Sequence, residues 1–190
     1  LVASWWTSRI NVLPHLSVCW YPCQPWDKSV GLAVSLLHRF GVDDKHDPYQ
    51  IMETLPLTPG SVFDIDSWRR RLLAYLTDAD AIRERFQDEK GGPPPYWLIV
   101  LDDVHHVANE SNDLLGALLD ISKKAPLRVI LVSRTTLNVY DRRDVHTRNI
   151  VQEIPQRGLT VDEISEWVGN MSGEPTTTEQ IHEATAGHPL

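Results

Sequence analysis

The sequence predicts an α/β protein, a mostly parallel sheet flanked by helices and followed by a small C-terminal helical unit. Three observations carry this. Residues 97–101 (WLIVL) and 127–133 (LRVILVS) are apolar runs of strand length, the pattern of strands buried on both faces. Between them Leu114, Leu115, Leu118, Leu119 and Ile121 form one helical face that Pro126 ends, so strand, helix and strand follow as in a parallel βαβ unit. Beyond Ile154 the signals are helical only. The boundary is therefore expected between a core over 1–154 and the start of a helical lid over 155–190.

In chain order, Val2, Trp5, Trp6 and Ile10 recur at helical spacing with Arg9 on the other side, and Pro14 ends that element. Residues 15–21 (HLSVCWY) read as a strand. Asp27 is the expected N-cap of a helix whose apolar face is Val30, Ala33, Val34, Leu37 and Phe40, with Gly41 at its C-cap. Residues 42–65 carry Pro48, Pro56, Pro59 and Gly60 and read as an irregular connection. One long helix is expected over 66–86, with Trp68, Leu72, Leu76, Ala79 and Ile82 on its apolar side. Arg69, Arg70 and Arg71 fall on its solvated side. Residues 150–154 (IVQEI) are a short strand candidate. Thr160 and Glu163 have capping-box spacing for a helix carrying Ile164, Trp167 and Val168. A last helix starts near Thr177 or Thr178 and includes Ile181 and Ala184.

The chain has 190 residues, 42% of them hydrophobic and 23% charged, enough for one sizeable core. Its net charge of −8 argues against a nucleic-acid contact from this segment. No apolar run is long enough to span a bilayer, and a cytoplasmic location is expected. Cys19 and Cys23, the two cysteines, have poor zinc spacing and read as reduced thiols, with Cys19 in a strand. Neither end reads as a natural terminus, so the chain is expected to be a fragment.

The chemistry concentrates at 98–106 (LIVLDDVHH). Asp102 and Asp103 follow the apolar strand at its carboxyl end, where open α/β sheets place ligands. One carboxylate there can hold Mg²⁺ through water and a second can orient a water that attacks a phosphate. Arg134 lies just past the second apolar strand, and the chain closes on Gly187, His188 and Pro189.

In that order, LIVLDDVHH, ILVSR and GHP resemble the P-loop NTPases of the STAND class, which include the AP-ATPases, the NACHT proteins and the LuxR-type bacterial regulators. The resemblance spans nearly the whole chain and implies a P-loop fold that binds ATP or ADP with Mg²⁺. It implies that Asp102 is the metal-side carboxylate and Asp103 the helper of the attacking water. His105 matches the histidine found shortly after the two acids. Arg134 matches the sensor-1 arginine that reaches toward the γ-phosphate. His188 and Pro189 fall in the G-x-P motif of the lid, near the adenine. The implied function is a nucleotide-dependent switch with slow hydrolysis, in transcription control, working with other domains of a larger protein or by self-association.

One departure stands against the family pattern: G-x-x-x-x-G-K-[ST], whose amides and lysine cradle the phosphates, occurs nowhere in the chain. Either the chain begins after that loop, which the helix-like start favours, or the loop has degenerated. The resemblance places the strand before that loop between the strands at 98–102 and 128–133. Without it these two either pair directly or leave a slot, and the chain alone should be poorly stable and bind nucleotide weakly. Two competing readings are a scaffold that binds nucleotide without turnover and a metal-dependent hydrolase built on His105 and His106. Adjacent histidines on an extended chain point to opposite faces, which weakens the latter.

Overall fold

The structure is a computed structural model and describes residues 16–42, 47–56, 60–86, 96–169 and 178–185. The predicted helix at 1–10 and the G-x-P residues His188 and Pro189 lie outside the described residues. The chain forms two compact units, Leu1–Asp144 and Val145–Leu190.

The first unit is built on a three-stranded parallel sheet in the order β1 (Leu16–Pro22), β2 (Tyr96–Asp102), β3 (Leu127–Leu131). Strand order equals chain order, so both connections cross over in the same direction. The register runs from Ser17 beside Trp97 beside Leu127 to Tyr21 beside Leu101 beside Leu131. The strands over 98–102 and 128–133 therefore pair directly and leave no slot. The ladder closes beyond the strands too: Val132 N–H donates to Leu101 O (2.8 Å) and Val104 N–H to Val132 O (2.9 Å). Every backbone group so paired escapes the cost of burial without a partner.

Helix α1 (Ser29–Phe40) buries Leu32, Ala33, Leu36, Leu37 and Phe40, the i, i+3, i+4 set of one face. Gly41 ends it at φ 88°, a left-handed conformation that glycine adopts without a Cβ penalty. The expected N-cap is corrected. Lys28 holds that position without a side-chain capping bond, while Asp27 Oδ2 accepts from Gln24 N–H (2.8 Å) and closes the preceding turn instead. An aspartate one residue short of the N-cap position is free to serve the turn it stands in.

The single helix expected over 66–86 is two, α2 (Ile65–Thr77) and α3 (Ala79–Phe86). Asp78 leaves the helical region (φ −73°, ψ 126°), and its Oδ1 accepts from the N–H groups of Asp80 and Ala81, both at 2.9 Å. Apolar periodicity runs through the break, but a side chain that caps the second segment outcompetes helix continuation at one residue. Asp64 caps α2 by accepting from Ser67 N–H (2.9 Å). Trp68, Leu72 and Leu76 are fully buried beneath it. The three arginines behave as the solvated face: Arg69 pairs with Asp66 and Asp120 (3.0 Å each), and Arg71 with Glu53 and the Gln50 carbonyl.

Helix α4 (Asn112–Ser122) connects β2 to β3 and buries Leu114, Leu115, Ala117, Leu118 and Ile121. It packs against α2, so both crossovers place their helices on one face of the sheet. Phe40 meets Trp97 edge to face at 6.5 Å, which ties the end of α1 to the start of β2.

The short α5 (Arg142–His146) carries the boundary between the units. In the second unit the strand expected at 150–154 does not form. Ile150 is 49% and Ile154 66% exposed, and no strand among the described residues offers that segment a ladder. Two polar residues in a run of five leave too little apolar area to order it alone. Helices α6 (Val161–Gly169) and α7 (Thr178–Thr185) follow and contact each other. The capping box is present as expected. Thr160 N–H donates to Glu163 Oε2 (2.7 Å) and Glu163 N–H to Thr160 Oγ1 (3.3 Å).

Candidate functional site

The site follows from how β2 and β3 end. Parallel neighbours in register deliver their carboxyl ends to the same edge of the sheet, so Asp102 and Asp103 emerge beside Val132, Ser133 and Arg134. β2 stops because Asp103 takes a left-handed conformation (φ 50°, ψ 37°) and starts a single 3-10 turn over Val104–His106. A non-glycine residue there is uncommon, though aspartate tolerates it better than most. Val104 anchors the turn: its side chain is fully buried and its N–H is held by Val132 O.

The left-handed residue aims the Asp103 carboxylate back across the strand ends. Arg134 Nε lies 3.5 Å and His105 Nδ1 3.8 Å from the same oxygen, Oδ1. Neither is a good hydrogen bond by distance. His105 Nδ1 is buried and has no hydrogen-bond partner, while the Arg134 side chain is 80% exposed. Asp102 behaves differently. Its Oδ1 accepts from Asp103 N–H (3.0 Å), and its carbonyl accepts from Cys23 N–H (2.9 Å), so it is fixed between two strands. The structure thus brings together Asp102, Asp103, His105 and Arg134.

The premise that His105 and His106 lie on an extended chain is corrected. They sit in the 3-10 turn with rings 4.2 Å apart and tilted by 38°, because successive residues in such a turn are not on opposite faces. Among the described residues no group of three or more His, Cys, Asp or Glu side chains could by itself hold a metal ion.

Cys23, just past β1, is buried beside these acids. Burial, with the carboxylates of Asp27, Asp102 and Asp103 facing it, pushes its thiol up to about 12. Each effect disfavours a thiolate, so Cys23 is an inert packing residue. Burial likewise raises Cys19 in β1.

A cavity of about 350 Å³ opens beside the acids, lined by His105, Asn109, Asn112, Thr135, Thr136 and Asn138 together with neighbouring apolar groups. Apart from His105, its polar residues were not singled out from the sequence. They stand in the two segments that follow β2 and β3, Asn112 at the first position of α4 and the others in loops, and only the pairing of those strands makes the segments neighbours. A second cavity, of about 380 Å³, lies between α2 and α4 around Arg69, Asp113 and Asp120 and shares Asn112 and Val139 with the first.

Comparison with models of protein families, with curated proteins and with solved structures finds no match to this chain. Among the described residues no helix is long and apolar enough to cross a membrane.

Proposed function

We propose that this chain carries the acidic half of a Mg²⁺-nucleotide site of the P-loop type, used in the full-length protein as an ATP- or ADP-dependent switch with slow hydrolysis. One observation supports this most. A half-exposed carboxylate, Asp103, stands between an exposed arginine and a buried histidine nitrogen, at the carboxyl ends of two directly paired parallel strands. Among the described residues no side chain gives that carboxylate a close hydrogen bond, so it retains capacity to hold a water.

The donor set fits Mg²⁺ only in part, and in the way Mg²⁺ prefers. Two carboxylates supply hard oxygens, and too few further ligands stand near to build a complete cage, so phosphate oxygens and water would fill the remaining positions. Asp102, fixed by its two backbone bonds, would order the metal's water shell. Asp103 would orient the attacking water, and Arg134 is long and exposed enough to meet a phosphate. His105, through its Nδ1, would hold the Asp103 carboxylate in place. The missing glycine-rich loop is the half of such a site that these residues do not provide. The resemblance to the STAND class, including transcription regulators, rests on these same residues.

A scaffold that binds nucleotide without turnover is the second reading. Nucleotide binding and ATP turnover by the full-length protein separate the two. Asp102→Ala should weaken Mg²⁺-nucleotide binding, whereas Asp103→Asn should spare binding and lower turnover. Equal loss of binding in both variants would overturn the roles, and binding without any turnover in the unmodified protein would favour the scaffold.

A further inference from the structure

The cavity of about 350 Å³ beside the acids differs in chemistry from the acids themselves. Apart from His105, none of its lining side chains ionises near neutral pH, so it offers little to attract a phosphate or a metal ion. It offers instead the carboxamides of Asn109, Asn112 and Asn138 and the hydroxyls of Thr135 and Thr136. A carboxamide donates through nitrogen and accepts through oxygen, and a hydroxyl does both. Among the described residues no hydrogen bond takes up the side chains of Asn109, Asn112, Thr136 or Asn138.

The apolar part of the lining is mostly out of reach. Leu137 is 8% and Val139 9% exposed, so the accessible wall is largely the polar set. The only ring in the lining is that of His105, which already lies 4.2 Å from the ring of His106. A nucleobase, which binds chiefly by stacking and apolar contact, fits such a wall poorly. A small neutral group rich in hydroxyls fits it well.

Position narrows the choice. His105 lines the cavity while its Nδ1 lies 3.8 Å from Asp103 Oδ1, so a single side chain spans from the cavity to that carboxylate. Thr135, Thr136 and Asn138 follow directly on Arg134, the exposed cation suited to a phosphate. In a nucleotide the ribose is joined to the phosphate chain by one ester. Phosphates held at Arg134 therefore leave the ribose a short reach from the cavity. We infer that the cavity is a ribose subsite, in which Asn109, Asn112, Thr136 and Asn138 hydrogen-bond the 2′ and 3′ hydroxyls. The inference rests on the Mg²⁺-nucleotide reading and adds the part of the ligand that these residues recognise.

Equilibrium titration of the full-length protein with Mg²⁺-ATP and with Mg²⁺-2′,3′-dideoxy-ATP tests it. ATP should bind about tenfold more tightly, because a ligand without hydroxyls leaves the polar groups of such a site unpaired. The double variant Thr136→Val, Asn138→Ala should lose most of that preference by weakening ATP alone. Both positions are exposed, so the core should be undisturbed. Asn109→Ala, in the other segment, should shrink the preference by a smaller factor and so checks the result on an independent loop. Equal affinity for the two nucleotides in the unmodified protein would overturn the subsite and leave the nucleotide reading standing. So would a preference that survives in both variants, or an equal loss for both ligands, since a ribose contact weakens only the ligand that carries the hydroxyls. Binding of neither nucleotide would remove the nucleotide reading, and the subsite with it.

Discussion

Two carboxylate–arginine pairs in this protein are built differently, and the difference separates structure from chemistry. Glu163 in α6 accepts from both Arg157 Nη atoms at 2.8 Å, from Thr160 N–H at 2.7 Å and from the Thr160 hydroxyl at 2.9 Å. Its oxygens are fully used, and the Arg157 pairing together with the Thr160 bonds lowers its acid from 4.5 to about 2. Asp103 has an arginine and a histidine nearby, at 3.5 and 3.8 Å, and neither makes a close bond. A carboxylate so satisfied as Glu163 holds a helix end in place. A carboxylate held in a left-handed turn with its oxygens unfilled is poised for something else to arrive.

The largest expected effect lies at the open pair. Asp103→Asn should lower ATP turnover by the full-length protein roughly 10²- to 10⁴-fold, the usual worth of a positioned acid–base group, without loss of nucleotide affinity. Stopped-time phosphate release measures the first and equilibrium titration the second. Asp102→Ala should act on affinity, weakening Mg²⁺-nucleotide binding about tenfold or more, since it removes a fixed ligand of the metal's water shell. Unchanged affinity there would erase the distinction between the two acids.

At the closed pair the effects are smaller and structural. Thr160→Ala should cost the second unit about 1 kcal/mol by removing the N-cap, read as a fall in thermal midpoint. Glu163 adds a pH signature of known sign. Its folded acid constant is depressed, so the stability it supplies is fully present above pH 4.5 and is lost as pH falls through about 2. Glu163→Gln should flatten that acid limb of the helical signal, and an unaltered limb would contradict the cap geometry. The smallest effect is the sharpest contrast. Arg134→Ala should change stability by no more than about 0.5 kcal/mol, because a pair this exposed is screened by solvent, while still lowering turnover.

The same contrast marks what the sequence could disclose. The strand ends were legible because unbroken apolar runs fix β2 and β3, and their parallel pairing then forces Asp102, Asp103 and Arg134 together. The capping box was legible because its two residues lie three apart in the chain and bond to each other. Asp27 was misread and the helix break at Asp78 missed for a shared reason. Their side chains bond locally to N–H groups two or three residues away, a competition that apolar periodicity does not register. The strand expected at 150–154 failed because its formation depends on a partner that the segment itself cannot specify. Asn109, Asn112, Thr135, Thr136 and Asn138 went unnoticed because loops have no period, and their convergence exists only once the sheet is formed. The direct pairing of β2 with β3 was one of two outcomes the sequence left open, and the register decides between them.

The most direct measurement compares the two acids in one assay. ATP turnover by the full-length protein should collapse in Asp103→Asn and remain unchanged in Glu163→Gln, although Glu163 has the stronger ionic contacts. Equal turnover in the two variants, whether both intact or both lost, would contradict the assignment of chemistry to the open carboxylate at the end of β2.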